Sequence, residues 1–145
     1  MLDYARQGRN KLFYFDYSKP STRTVLEILE NHKSLVFQKR LSVISVIVSE
    51  LLKHSGSAII FGSYSSYSYD KSSDLDIVLL GNCDKEGIEK TKQKQIIQIS
   101  EYCISYDEFS KTLKSKNPLA IEILKNHTIF GNVSKVVGIF MEATS

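Results

Sequence analysis

The chain is poor in the residues that build soft metal centres. It has two cysteines, Cys83 and Cys103, without metal-ligand spacing, and three scattered histidines, His32, His54 and His127. Zinc sites of the familiar kinds are therefore excluded, and the cysteines are expected as free thiols. Long apolar runs are missing as well: none approaches the roughly 20 residues that a membrane-spanning helix requires. The N-terminus carries Asp3, Arg6 and Arg9 and no apolar stretch. That is not the build of a signal peptide, so the expected location is the cytoplasm. Charge of one sign is also scarce, because 19 basic against 16 acidic residues leave only +3. Such an excess is compatible with a nucleotide or nucleic-acid partner and far too small to imply one. What is there is an ordinary globular composition, 42% hydrophobic and 24% charged over 145 residues, enough for one core and not for two.

The densest chemical signal is SAIIFGSYSSYSYDKSSDLDIVLLG. An apolar run, Ala58 to Phe61, stops at Gly62-Ser63, and a second, Ile77 to Leu80, starts after Asp74-Leu75-Asp76. Both predict short buried strands. Residues two apart on a strand share a face, so Asp74 and Asp76 are expected side by side where the second strand begins. Two carboxylates that close repel each other, and a hard divalent cation with oxygen ligands, above all Mg²⁺, relieves the repulsion. Gly62, without a Cβ, lets backbone N–H groups approach a phosphate, and the Ser63 hydroxyl sits beside it. A helix starting there would add the attraction of its N-terminus for an anion. The blander alternative is that Tyr64 to Ser73 is only a polar hairpin loop, with Asp74 a turn or cap residue.

Elsewhere the chain reads as follows. Residues 1–10 are polar and are expected to be a loosely held start. Lys11–Tyr17 is aromatic and β-prone, closed by Pro20, and predicts one strand. Ser18 or Ser21 can cap a helix over Thr22–His32 with Val25, Leu26, Ile28 and Leu29 on its apolar face. A longer helix is predicted over Leu35–His54 and ends at Gly56. After Asp76 and its strand, Gly81-Asn82 marks a turn, and Asp84–Lys94 predicts a charged helix weakened by Gly87. Ile96–Ser105 is expected as the third core strand, followed by a helix over Tyr106–Lys114. Pro118 opens another helix to Asn126 with Leu119, Ile121, Ile123 and Leu124 inward. Thr128–Gly131 is a short extended segment, and Val133–Glu142 predicts a last helix. The expected fold class is α+β: a small mixed sheet flanked by helices.

Gly62-Ser63, ten residues, then Ser73-Asp74-x-Asp76 between two apolar strands resembles the signature of the DNA polymerase β-type nucleotidyltransferase superfamily, most closely the minimal nucleotidyltransferases. ISYDEFSKTLKSKNPLAIEILKNHTIFG resembles the C-terminal part of the same family, so the likeness covers roughly Ser57 to Gly131. The resemblance implies a polymerase β-like fold, Mg²⁺ held by Asp74 and Asp76, and the phosphates of a nucleoside triphosphate at Gly62, Ser63 and Ser73. It implies transfer of a nucleotidyl group, AMP from ATP first of all, to a protein or small-molecule hydroxyl. Minimal members often act as antitoxins on a separate small helical partner, a HEPN-like toxin, which they inactivate by adding AMP. GRNKLFYFDYSKPSTRTVLEILE resembles the tail of a winged-helix module, but no complete helix-turn-helix precedes it. Residues 1–34 are thus expected as an N-terminal extension that packs on the core or forms a homodimer contact, and residues 35–145 as the nucleotidyltransferase-like domain.

Some positions depart from the family's pattern. In the family that the chain resembles, a third carboxylate completes the metal cage and serves as general base or aligns the attacking hydroxyl, and its place is expected to fall on Gln98. Glutamine cannot be a base, and its neutral amide oxygen holds a metal less tightly. Glu101 is the nearest acid, yet three residues along a strand puts it on the opposite face unless a bulge intervenes. Ser66 and Tyr67 stand where the family commonly has Arg and Gly, and Lys71 is the candidate to replace the missing cation. An enzyme, a module that binds without turnover, and a DNA binder using the N-terminal wing are the readings left open.

Overall fold

The computed structural model describes residues 2–144. An N-terminal hairpin, β1 (Leu2–Gln7) and β2 (Asn10–Phe15), turns at Gly8-Arg9. Then come α1 (Pro20–Arg40), α2 (Ser42–Leu52), β3 (Ser57–Phe61), the single turn α3 (Gly62–Ser65) and β4 (Leu75–Leu80). The chain continues with α4 (Lys85–Gln93), β5 (Ile99–Ile104), α5 (Tyr106–Ser115), α6 (Pro118–Lys125), β6 (His127–Gly131) and α7 (Val133–Thr144). The main sheet has the order β5-β4-β3-β6, with β3 antiparallel to both neighbours and β4 parallel to β5. This is the mixed sheet of an α+β fold.

Alternation along the strands splits the core into two layers. Ala58, Ile60, Leu75, Ile77 and Leu79 face one way, onto Phe37 of α1, Ile88 of α4 and the apolar side of α2. Ile59, Phe61, Val78 and Leu80 face the other way, onto Phe109, Leu113, Ile123 and Val136 of α5, α6 and α7. Because helices cover both faces, every residue of β3 is buried, and the strand reads as an unbroken apolar run. Of the helices, α4, α5 and α6 start on side-chain caps, whereas α1 begins after Lys19 with no side-chain cap, so neither Ser18 nor Ser21 caps it. Asp84 accepts from the Gly87 N–H, Ser105 and Glu108 form a capping box, and Asn117 accepts from the Ala120 N–H with Pro118 behind it. Each such cap stabilises its helix by about 1 kcal/mol. Gly87, which propensity counts against α4, admits a neighbour: a Cβ there would collide with the His54 imidazole.

Several boundaries differ from expectation for identifiable reasons. Residues 2–7 are not a loose start but a strand, paired with β2 from Leu2↔Phe15 to Gln7↔Asn10. Polar side chains say nothing against a strand whose backbone finds a partner. The helical stretch breaks at Leu41 (φ −127°, ψ 61°) rather than near His32 to Ser34, since no glycine or proline stands at those positions and Ser34 and Phe37 are buried on one face. Consequently α1 crosses residue 34 without a break and is bonded to the body, Arg23 donating to the Ser134 carbonyl at 2.9 Å and Glu30 meeting His127 Nε2 at 2.9 Å. The third core strand begins at Ile99 and leaves Ile96 exposed; in α6 Ile121 also points outward. Among the described residues no helix is long and apolar enough to cross a membrane.

Candidate active site

The site forms where β3 ends beside the start of β4. Phe61 pairs with Asp76 across the ladder, and Gly62 follows with φ +68°. A Cβ on Gly62 would stand 2.5 Å from Asp76 Oδ2. Glycine is therefore required twice here, for the left-handed backbone and for the room that the carboxylate occupies. Ser63 comes next in α3, whose N-cap residue Phe61 has no polar side chain to satisfy the first turn. Gly62, Ser63 and Asp76 are thus brought together, with Asp74 immediately before β4.

Asp74 is exposed, while Asp76 is half-buried on the sheet face that also carries Val78 and Leu80. Burial, then the charge of Asp74, then that of Glu122, holds the Asp76 carboxyl above the usual carboxylate range. No hydrogen bond or ion pair from a described residue neutralises either aspartate. Two uncompensated carboxylates against an apolar wall are a donor set suited to a hard divalent cation. The fit extends to two ligands: among the described residues no group of three or more His, Cys, Asp or Glu is arranged to hold a metal. Glu122 could not be found from sequence. It lies on the outer side of α6, and its charge reaches Asp76 only because that helix folds back over the sheet.

On the neighbouring strand the Leu75 N–H donates to the Gln98 carbonyl at 2.9 Å, and the ladder pairs Asp76 with Ser100 and Ile77 with Glu101. Gln98 is then level with Asp74 and Ser100 with Asp76, so neither place holds an acid. Glu101 is not brought to the site. It belongs to the opposite layer, where its carboxylate lies 2.7 Å from Lys92 Nζ, and no bulge interrupts β5 to turn it round.

The loop between α3 and Asp74 is tied by its own hydroxyls. Ser66 Oγ donates to the Gly62 and Ser63 carbonyls, both at 3.3 Å, and closes α3. Tyr67, which stands where the resembled family commonly has glycine, keeps a left-handed backbone, φ 59°; its ring lies 6.1 Å from that of Phe37, with the Arg40 guanidinium 4.3 Å from its centroid. Ser73 Oγ accepts from the Asp70 N–H at 2.9 Å and donates to Asp70 Oδ1 at 3.2 Å, so it fastens the loop instead of presenting a free hydroxyl. Lys71 is exposed on the crest of that turn.

A family model described as Nucleotidyltransferase domain matches residues 41–130. Comparisons with curated proteins and with solved structures gave no match. The matched span begins at the break between α1 and α2 and runs into β6, more than half of the chain. A match over that span, through the same strands that carry the carboxylates to the glycine turn, makes the chain a member of the nucleotidyltransferase domain family.

Proposed function

We propose that the protein is an Mg²⁺-dependent nucleotidyltransferase that moves a nucleotidyl group, AMP from ATP in the first instance, to a hydroxyl of a protein or small molecule. The observation that carries this reading is the Asp76 carboxylate lying against Gly62, with no cation among the described residues to neutralise it. Asp74 and Asp76 would hold the cation, which when bound offsets the charge of the triphosphate and of the transfer itself. The backbone N–H groups of the turn at Gly62 and the Ser63 hydroxyl would donate to phosphate oxygens, and Lys71 is long enough to lie over them. In the transfer the acceptor oxygen bonds to the α-phosphorus as the bond to the bridging oxygen breaks, and pyrophosphate leaves. Gln98 and Ser100 do not take up the acceptor's proton at neutral pH, so turnover is expected to be slow, with the proton passing to solvent.

That same pair of neutral residues supports a second reading, a domain that keeps the fold and the acidic pair and controls its partner by contact. In either case a small helical partner of the HEPN-like toxin kind is the protein to try first. Incubation with Mg²⁺, α-labelled ATP and a cell extract separates the readings: label transferred by the wild type and not by Asp74→Asn supports the enzyme. Equal labelling by both would refute it.

A further inference from the structure

Metal and phosphate chemistry leaves one feature of the same loop without a role. Tyr64, in the turn after Gly62-Ser63, and Tyr69, midway to Asp74, lie face to face with ring centroids 4.6 Å apart and planes 7° from parallel. Tyr64 is 6% exposed and Tyr69 40%. The buried ring therefore covers one face of Tyr69, and two-fifths of the Tyr69 surface stays exposed. A single exposed tyrosine on a loop needs no explanation. A tyrosine pinned flat by a buried ring is different, because its orientation is already fixed before anything binds, and little further ordering is needed.

Its place in the chain is the second observation. The stack stands on the short segment whose two ends are the phosphate turn and the acidic pair, Gly62-Ser63 and Asp74. Electrostatics agree with that placement, since the Tyr64 phenol is pushed up first by burial and then by Tyr69 and the charges of Asp70 and Asp74. Before Tyr69, Ser66 and Ser68 bond to each other and to the Ser63 carbonyl of α3, and after it Ser72 and Ser73 bond to Asp70, which holds the loop in shape on either side.

We propose that the open face of Tyr69 is the platform on which the base of a nucleoside triphosphate stacks, an inference that rests on the nucleotidyl-transfer reading of the adjacent turn and acidic pair. The ligand class is then a nucleoside triphosphate, recognised through the π-face of its base, and not a bare polyphosphate. Removing an aromatic platform lowers affinity by about 5- to 150-fold per stacked base.

Calorimetric titration of the full chain in Mg²⁺ with a non-hydrolysable ATP analogue and with inorganic tripolyphosphate tests this. Wild type and Tyr69→Phe should bind the analogue alike. Tyr69→Ala should lose about 5- to 150-fold for the analogue and less than about twofold for tripolyphosphate. Should Tyr69→Ala fail to fold, Tyr69→Leu covers Tyr64 without offering a planar face and carries the same expectation. Unchanged affinity for the analogue in a folded variant overturns the platform while leaving the phosphate site standing. Equal losses for both ligands also overturn it, because Tyr69 would then act by shaping the loop. If the wild type binds neither ligand, the nucleotidyl-transfer reading itself fails, and the platform with it.

Discussion

Gly62→Ala is the sharpest perturbation this fold offers. Alanine at φ +68° carries the left-handed penalty of about 1–2 kcal/mol. Its Cβ would also sit 2.5 Å from Asp76 Oδ2, inside any allowed contact. The carboxylate is the end of a short side chain, so it can swing aside, at about 0.5–1.5 kcal/mol for leaving its rotamer well. The total is about 1.5–3.5 kcal/mol, or roughly 4–12 °C in melting temperature for a chain of this size. A double-mutant cycle separates the parts: in an Asp76→Ala background only the backbone penalty should persist, giving a coupling of about 1 kcal/mol. Urea denaturation and thermal melts of the four proteins supply the numbers, and Mg²⁺-dependent nucleotide binding should fall in Gly62→Ala because Asp76 has moved. A Gly62→Ala protein that melts within a degree of wild type, or a cycle without coupling, would show that the turn and the carboxylate do not meet as described.

Asp76→Asn should raise the neutral-pH melting temperature of the metal-free protein and abolish stabilisation by Mg²⁺. The sign follows from a carboxyl held above its ordinary 3.8: what it contributes to stability is complete below 3.8 and lost as pH rises through the folded value, so a neutral amide is better tolerated at pH 7. Aspartate at Gln98 or at Ser100 should tighten Mg²⁺ binding, whereas Glu101→Gln should leave it unchanged; fluorimetric titration with Mg²⁺ reads both. Glu30 bridges α1 to β6, with Oε1 2.9 Å from His127 Nε2 and Oε2 at ion-pair distance, 2.9 Å, from Lys33 Nζ. Burial pushes this carboxyl up, but His127 and then Lys33 outweigh it and hold it below 4.5. Its stabilisation is thus present above pH 4.5 and lost as pH falls through the folded value, so a wild-type advantage over Glu30→Gln of about 1–3 kcal/mol at pH 7 should close in acid denaturation series. The Cys83 thiol, pushed up to about 11 by burial and by Cys103, should alkylate slowly at pH 8 in the native protein and quickly in denaturant. Native labelling at the denatured rate would contradict its partly buried position.

The strands on either side of the loop, the glycine turn and the nearness of the charge of Asp74 to Asp76 were legible because each depends on residues close together in the chain. Helix starts near Asp84, Tyr106 and Pro118 were legible for the same reason: a helix start is set by residues within one turn. The pairing of β1 with β2, the break at Leu41 in place of one near Ser34, and the outward turn of Ile121 were not. Each is settled by what lies against the segment, a partner strand, a buried Phe37 or an absence of cover.

By its order of residues alone this chain determined a left-handed turn without a side chain at Gly62 and an acidic pair two residues apart where β4 begins, since backbone freedom and sequence spacing are local properties. Only the folded sheet decided which residues flank those carboxylates. Parallel pairing set Gln98 and Ser100 beside them and turned Glu101 to Lys92, and the return of α6 brought the charge of Glu122 within reach. The physical reason is that register and layer are fixed by burying Ile77, Leu79, Ile99 and their opposite numbers across the whole core, and no short stretch of sequence carries that sum.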